Sequence, residues 1–136
     1  MINGIYGINI AVKDLKAATD RYEKVFGVKA KHLAETDFAF PNLLGSEFNL
    51  GEVKINLITS KTEDTSIGQF LSKKGEGLFL FSLKVSNIEE DMNRMKEGGA
   101  TFVSPSNFTG AFGKVNFIHP KSMNGVQIEV LELPKN

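Results

Sequence analysis

The sequence predicts an α+β domain made of two similar β-α-β-β-β modules in a pseudo-twofold arrangement. Three observations lead there. The chain repeats its own pattern at a shift that lays Ile5-Tyr6-Gly7-Ile8-Asn9-Ile10-Ala11-Val12 over Leu78-Phe79-Leu80-Phe81-Ser82-Leu83-Lys84-Val85. The same shift lays Asp14-Leu15 over Asn87-Ile88, Arg21-Tyr22 over Arg94-Met95, and Lys54-Ile55-Asn56-Leu57 over Gln127-Ile128-Glu129-Val130. One duplication of about half the chain differs from the roughly 20–50-residue periods of solenoids. The opening strands also alternate apolar and polar with period two, and a helical pattern with a glycine stop follows each.

In module one (residues 4–61) the opening strand leads into a helix with Leu15, Ala18, Tyr22, Val25 and Phe26 on one face and Gly27 as its stop. Strands follow at about 29–35, 44–50 and 53–60. The connecting segment (62–76) carries Ile67, Phe70 and Leu71 at the spacing of a short amphipathic helix. In module two (77–132) the helix shows Ile88, Met92 and Met95, with Gly98-Gly99 as the stop. Ser86 with Glu89 three residues on predicts a capping box. Its further strands fall at 101–104, 114–119 and 126–132.

A chain of 136 residues fits one domain, 1–136, with a core that needs no staples. With 41% hydrophobic and 24% charged residues it is composed as a folded protein, not a disordered one. Sixteen basic residues offset sixteen acidic ones, so there is no electrostatic footprint for nucleic acid or an anionic membrane. The absence of cysteine excludes disulfides, thiol nucleophiles and cysteine-based zinc sites. No apolar run approaches the roughly 20 residues of a membrane span, and Met1-Ile2-Asn3-Gly4 runs straight into a strand without the regions of a signal peptide. The expectation is a soluble cytoplasmic protein.

Side-chain alternation assigns two faces to the sheet. Ile8, Ile10, Val12, Ile55 and Leu57 in module one, and Phe81, Leu83, Val85, Ile128 and Val130 in module two, make the face that covers the helices. The other face collects Asn9, Lys54, Asn56, Ser82, Lys84, Gln127 and Glu129. Such a face either meets water or, in a curled sheet, lines a small-molecule site, and the pattern fits both.

Paired modules of this length resemble the vicinal oxygen chelate superfamily, which includes glyoxalase I, bleomycin-resistance proteins and extradiol dioxygenases. Within it the methylmalonyl-CoA epimerase family is most similar. The likeness rests on residues 8–15, on 66–78 (Ser66-Ile67-Gly68-Gln69 through Gly77-Leu78), and on Gly110-Ala111-Phe112-Gly113-Lys114, Phe117-Ile118-His119-Pro120-Lys121-Ser122 and Gly125-Val126-Gln127-Ile128-Glu129-Val130. It is weakest across 36–51. The resemblance implies a sheet curled into a cup with helices outside, a homodimer, and one divalent ion held at positions that are here Gly7, Asn56, Leu80 and Glu129. Gly7 and Leu80 stand where the family has histidine. Since a catalytic metal usually needs about three protein ligands, no bound metal or other cofactor is expected unless the resemblance overrides the missing histidines. His32 and His119 fall at none of these positions and read as loop or surface residues.

Glu129 is the candidate catalytic residue. A carboxylate in an apolar cup has a raised pKa and suits a general base for a proton beside a thioester carbonyl; the competing reading is a relic ligand paired with Lys54 or Lys84, or bonded to Asn56. Asn9, Asn56, Ser82 and Gln127 are candidates to hold a carbonyl or carboxylate, and equally fit a self-satisfied polar network. Phe38, Phe40, Phe48, Phe108 and Phe112 are candidates for the rim of an apolar pocket, with dimer contact as the competing explanation, and Phe112 stands where the epimerase pattern has histidine. Lys73, Lys74, Lys114 and Lys121 either meet the phosphates of a CoA-type ligand or are solvated lysines. Two functions stay open, beside a third in which the cup is filled and the surface binds another protein. One is an isomerase or lyase acting on an acyl thioester or small carboxylic acid. The other is a non-catalytic binding protein of the bleomycin-resistance type that takes up an aromatic or amphipathic small molecule.

Overall fold

The computed structural model describes residues 1–135. Its elements run β1 (Ile2–Ala11), α1 (Leu15–Phe26), β2 (Lys31–Leu33), β3 (Leu43–Leu50), β4 (Val53–Ser60), α2 (Ser66–Lys74), β5 (Gly77–Val85), α3 (Ile88–Glu97), β6 (Phe108–Gly110), β7 (Gly113–Ile118) and β8 (Ile128–Glu132). The α+β class and the doubled β-α-β-β-β order are therefore present. The chain packs as two compact units: Gly7–Phe79, and Met1–Tyr6 together with the chain from Leu80 onward. Strand β1 contributes to both. Hydrogen-bonded order is β2-β3-β4-β1 in the first unit and β1-β5-β8-β7-β6 in the second. The β1–β4 and β5–β8 pairs are parallel, as a strand-helix-strand crossover requires. No helix among the described residues is long and apolar enough to cross a membrane.

In the Gly7–Phe79 unit, Asp14 starts α1 by accepting the Ala17 N–H at 3.0 Å. Gly27 ends it at φ +69°, a left-handed conformation that side chains with a Cβ rarely adopt. Leu15, Ala18 and Tyr22 pack on Val12, Phe48 and Leu57, with Ile10 and Ile55 alongside. Val25, expected on that stripe, is 74% exposed. Phe48, expected at a pocket rim, is fully buried in this core, edge-on to Phe26. A second core lies on the other face of these strands. Ala11, Leu43 and Ile58 meet Ile67 of α2, with Phe38, Phe40, Phe70 and Phe79 packed around them. The face opposite α1 is thus polar for only part of its length.

In the other unit, Ile88 and Met92 of α3 pack on Val85, Ile118, Ile128 and Val130, with Phe81, Leu83 and Met95 alongside. The helix is capped by Asn87, whose side chain accepts the Glu90 N–H, and not by the expected Ser86 box. Ser86 Oγ instead accepts from Asn3 Nδ2 at 2.7 Å. Glu132 adds a second partner at this helix start, taking the Ile88 N–H at 2.9 Å. The expected strand at 101–104 reduces to one bridge, Phe102 to Ile118. The outer edge of β7 is shared: Val103 N–H bonds the Phe117 carbonyl, while β6 pairs farther along. Between them the chain loops away through Pro105, and the buried Asn116 amide holds that loop by donating to Ser104 O and Asn107 Oδ1, each at 3.0 Å.

Candidate functional site

Strand register puts the polar residues of each unit in rows. In the Gly7–Phe79 unit, β3 and β1 flank β4. Glu47 and Asn9 lie on either side of Asn56, and Asn49 and Gly7 on either side of Lys54. The next row inward, Gly45, Ile58 and Ala11, is apolar. Glu47 and Lys54 form an ion pair at 3.6 Å, and both side chains are largely withdrawn from solvent, at 17% and 23% exposure. Asn56 donates to Asn9 Oδ1 at 3.0 Å, which leaves Asn56 Oδ1 buried without a partner. A buried acceptor in this state costs free energy unless a ligand or water donates to it. Two of the candidate polar residues, Asn9 and Asn56, are therefore brought together.

In the other unit, β5 and β7 flank β8, with Ser82 and Phe117 on either side of Glu129. This row is the counterpart of Glu47, Asn56 and Asn9. Ser82 is 2% exposed, and its hydroxyl makes no well-formed hydrogen bond. Glu129 retains some solvent contact but is densely surrounded by protein. Desolvation pushes its carboxyl pKa up, and the nearby Ser82 hydroxyl pulls it part of the way back. Gln127 stands just ahead of β8, half-buried. Phe112 lies in the turn between β6 and β7, where its ring covers its own Gly110: a Cβ there would come within 2.6 Å of it.

The remaining candidates have local roles. His119 Nδ1 accepts the Lys121 N–H at 3.2 Å, and His32 is exposed on β2. Lys114 pairs with Glu89 at 3.5 Å, and Lys74 lies over the Phe70 ring at 5.8 Å. Lys73 and Lys121 are exposed.

The donor set implied for a divalent metal does not fit. Gly7 presents backbone alone, and a Cβ there would stand 3.1 Å from the Lys54 carbonyl oxygen and 3.5 Å from Asn56 Nδ2. Asn56 offers only a single neutral amide oxygen. Leu80, 6% exposed, is an aliphatic side chain with no donor atom. Among the described residues no three His, Cys, Asp or Glu side chains gather as a metal group.

Glu47 is the residue that reading the sequence missed. The signal was the short turn between β3 and β4, with Leu50 paired to Val53 around Gly51 and Glu52. Counting back from that turn sets Glu47 opposite Asn56 and on its face.

Residues 7–119 match the model of the Glyoxalase/Bleomycin resistance protein/Dioxygenase superfamily. The chain is 32% identical to the ethylmalonyl-CoA/methylmalonyl-CoA epimerase of Cereibacter sphaeroides, over 96% of this chain and 98% of that protein. The crystal structure of methylmalonyl-CoA epimerase from Mycobacterium tuberculosis superposes with a TM-score of 0.87 at 26% identity, covering 98% of this chain and 90% of that one. A Streptomyces coelicolor methylmalonyl-CoA epimerase variant in complex with 2-nitronate-propionyl-CoA is similar in fold, with a TM-score of 0.85 at 22% identity over 99% of this chain and 100% of that one.

Proposed function

This chain belongs to the Glyoxalase/Bleomycin resistance protein/Dioxygenase superfamily, and from that premise we propose that it is an epimerase-type enzyme that moves the proton α to the carbonyl of an acyl-CoA thioester. The observation that carries the reading is Glu129, a carboxyl on the second residue of β8, opposite Ser82 and Phe117, whose pKa is raised by desolvation. A raised pKa makes the carboxylate a stronger base toward a carbon acid. In the proposed step the α C–H bond breaks and its proton passes to the Glu129 carboxylate. The electron pair moves toward the thioester oxygen, giving an enolate. Return of a proton from water to the opposite face of the α-carbon completes the inversion, and Glu129 releases its proton to solvent.

Asn9, Asn56, Ser82 and Gln127 supply neutral hydrogen-bonding groups suited to a carbonyl or a substrate carboxylate. A substrate bearing a carboxylate on the α-carbon accords with the named epimerase relatives.

The test is deuterium wash-in at the α-carbon of methylmalonyl-CoA. Wild-type protein is expected to exchange the α-proton. Glu129→Gln is expected to lose roughly 10²–10⁴-fold in that rate, the usual range for a positioned acid or base. Wild-type protein that exchanges no acyl-CoA ester tried would overturn the reading, and full exchange in Glu129→Gln would remove Glu129 from it.

A further inference from the structure

A general base acts when one of its oxygens is held toward the proton it takes, and a glutamate carboxyl on a flexible stem needs a neighbour to hold it. The neighbours of Glu129 are set by strand register within one unit. Strand β7 places Phe117 on one side of it, and β5 places Ser82 on the other. Phe117 is 8% exposed and lies tilted against Phe108, with ring centroids 6.3 Å apart, so that side is an apolar wall. The next row along the same face holds Leu131, flanked by Lys84 and Val115, so the lysine stands opposite leucine and not opposite the carboxyl. Of the two register partners of Glu129, Ser82 carries the polar group.

Ser82 is 2% exposed, and its Oγ is buried without a well-formed bond. A buried hydroxyl without a partner costs free energy, and one so enclosed finds its partner within its own sheet. Glu129 supplies the acceptor there: the hydroxyl already favours its ionised form against desolvation. A serine hydroxyl has a single proton to donate, so it can hold one carboxylate oxygen and leave the other free.

We infer that Ser82 is a positioning residue for Glu129: its hydroxyl donates to one oxygen of the carboxylate and leaves the other turned to the α-proton. The inference rests on the proposed epimerase chemistry and assigns one of its neutral groups to the base. Ser82 exchanges no proton with the substrate. When Glu129 takes the α-proton on its second oxygen, the Ser82 bond stays on the first, and the carboxyl keeps its orientation until that proton leaves.

Two measurements test this, on Ser82→Ala, which removes the hydroxyl, and Ser82→Thr, which keeps one. In deuterium wash-in with methylmalonyl-CoA, Ser82→Ala is expected to lower kcat about 10–100-fold with KM unchanged, the signature of lost alignment and not of lost binding. Ser82→Thr is expected to recover most of that loss. Thermal melts at pH 8 read the contact without substrate. Ser82→Ala is expected to lower Tm by several degrees in the wild-type chain, where the ionised carboxylate loses its donor. In Glu129→Met, where the hydroxyl has no carboxylate to serve, the same substitution leaves Tm level or raises it, and the difference between the two backgrounds measures the coupling. An unchanged kcat in Ser82→Ala, a raised KM in place of a lowered kcat, or the same Tm change in both backgrounds would each overturn the assignment. If wild type exchanges nothing while the two Tm changes differ as expected, the epimerase reading falls and the Ser82–Glu129 contact stands.

Discussion

Glu129 illustrates a conflict between stability and chemistry. Desolvation raises its pKa, so the folded state binds a proton more readily at this position than the unfolded chain does. Stability then falls as pH rises from the ordinary glutamate value of 4.5 through the raised one, and above it the ionised carboxylate costs the fold its full desolvation penalty. Glu129→Gln is therefore expected to melt at a higher temperature than wild type at pH 8, with the difference vanishing below the ordinary value; calorimetric melts across pH check this. The exchange rate of the wild type should fall with acid at a pH above that of an unperturbed glutamate, since the base form is lost there. Lys54 and Glu47 show the other side of residue-scale reading. Both are charged, both are held on one sheet face, and their meaning depends on what stands opposite each.

At the scale of elements, propensity predicts well where one chain segment decides and fails where two meet. Gly27 is legible as a helix stop because a left-handed cap is a local requirement. Gly68 is different. It sits inside α2, where alanine would be favoured by about 1 kcal/mol on helix propensity alone. Yet a Cβ there would come within 2.9 Å of Glu63 Cα, and closer still to the Thr62 carbonyl oxygen. Backbone atoms cannot swing aside, so Gly68→Ala is expected to lower stability by about 1–3 kcal/mol, the range for overpacking, as read from urea midpoints. The edge of β7 shows the same limit. The run at 101–104 has strand character in its sequence, but Pro105 and the Asn116 tether confine the pairing to Phe102 and restart it at Phe108.

For the whole molecule, the duplicated pattern reappears as two units whose central strands carry corresponding polar rows, Glu47, Asn56 and Asn9 in one and Phe117, Glu129 and Ser82 in the other. The duplication has diverged in chemistry: the carboxylate lies on the antiparallel neighbour in one row and on the central strand in the other. An acyl-CoA ligand that binds the folded state alone raises the melting temperature by linkage, with about 2.7 kcal/mol at a hundredfold excess over its Kd. Methylmalonyl-CoA is expected to raise it by several degrees in wild type and in Glu129→Gln alike, because the substitution removes proton transfer and keeps the shape. A rise in wild type that disappears in the variant would assign Glu129 to binding.

By itself the sequence determined the module repeat, the order of strands and helices, the apolar faces and the absence of histidine at the two implied ligand positions, because each of these follows from local periodicity or residue identity. Only the tertiary structure decided that Lys54 pairs with Glu47, that Asn9 occupies Asn56 and leaves an acceptor over, that Phe48 belongs to the core, and that Phe112 covers its own hairpin. Those outcomes depend on register and on which segments approach in space. A shift of one residue in any of these strands would have turned every one of its side chains to the other face.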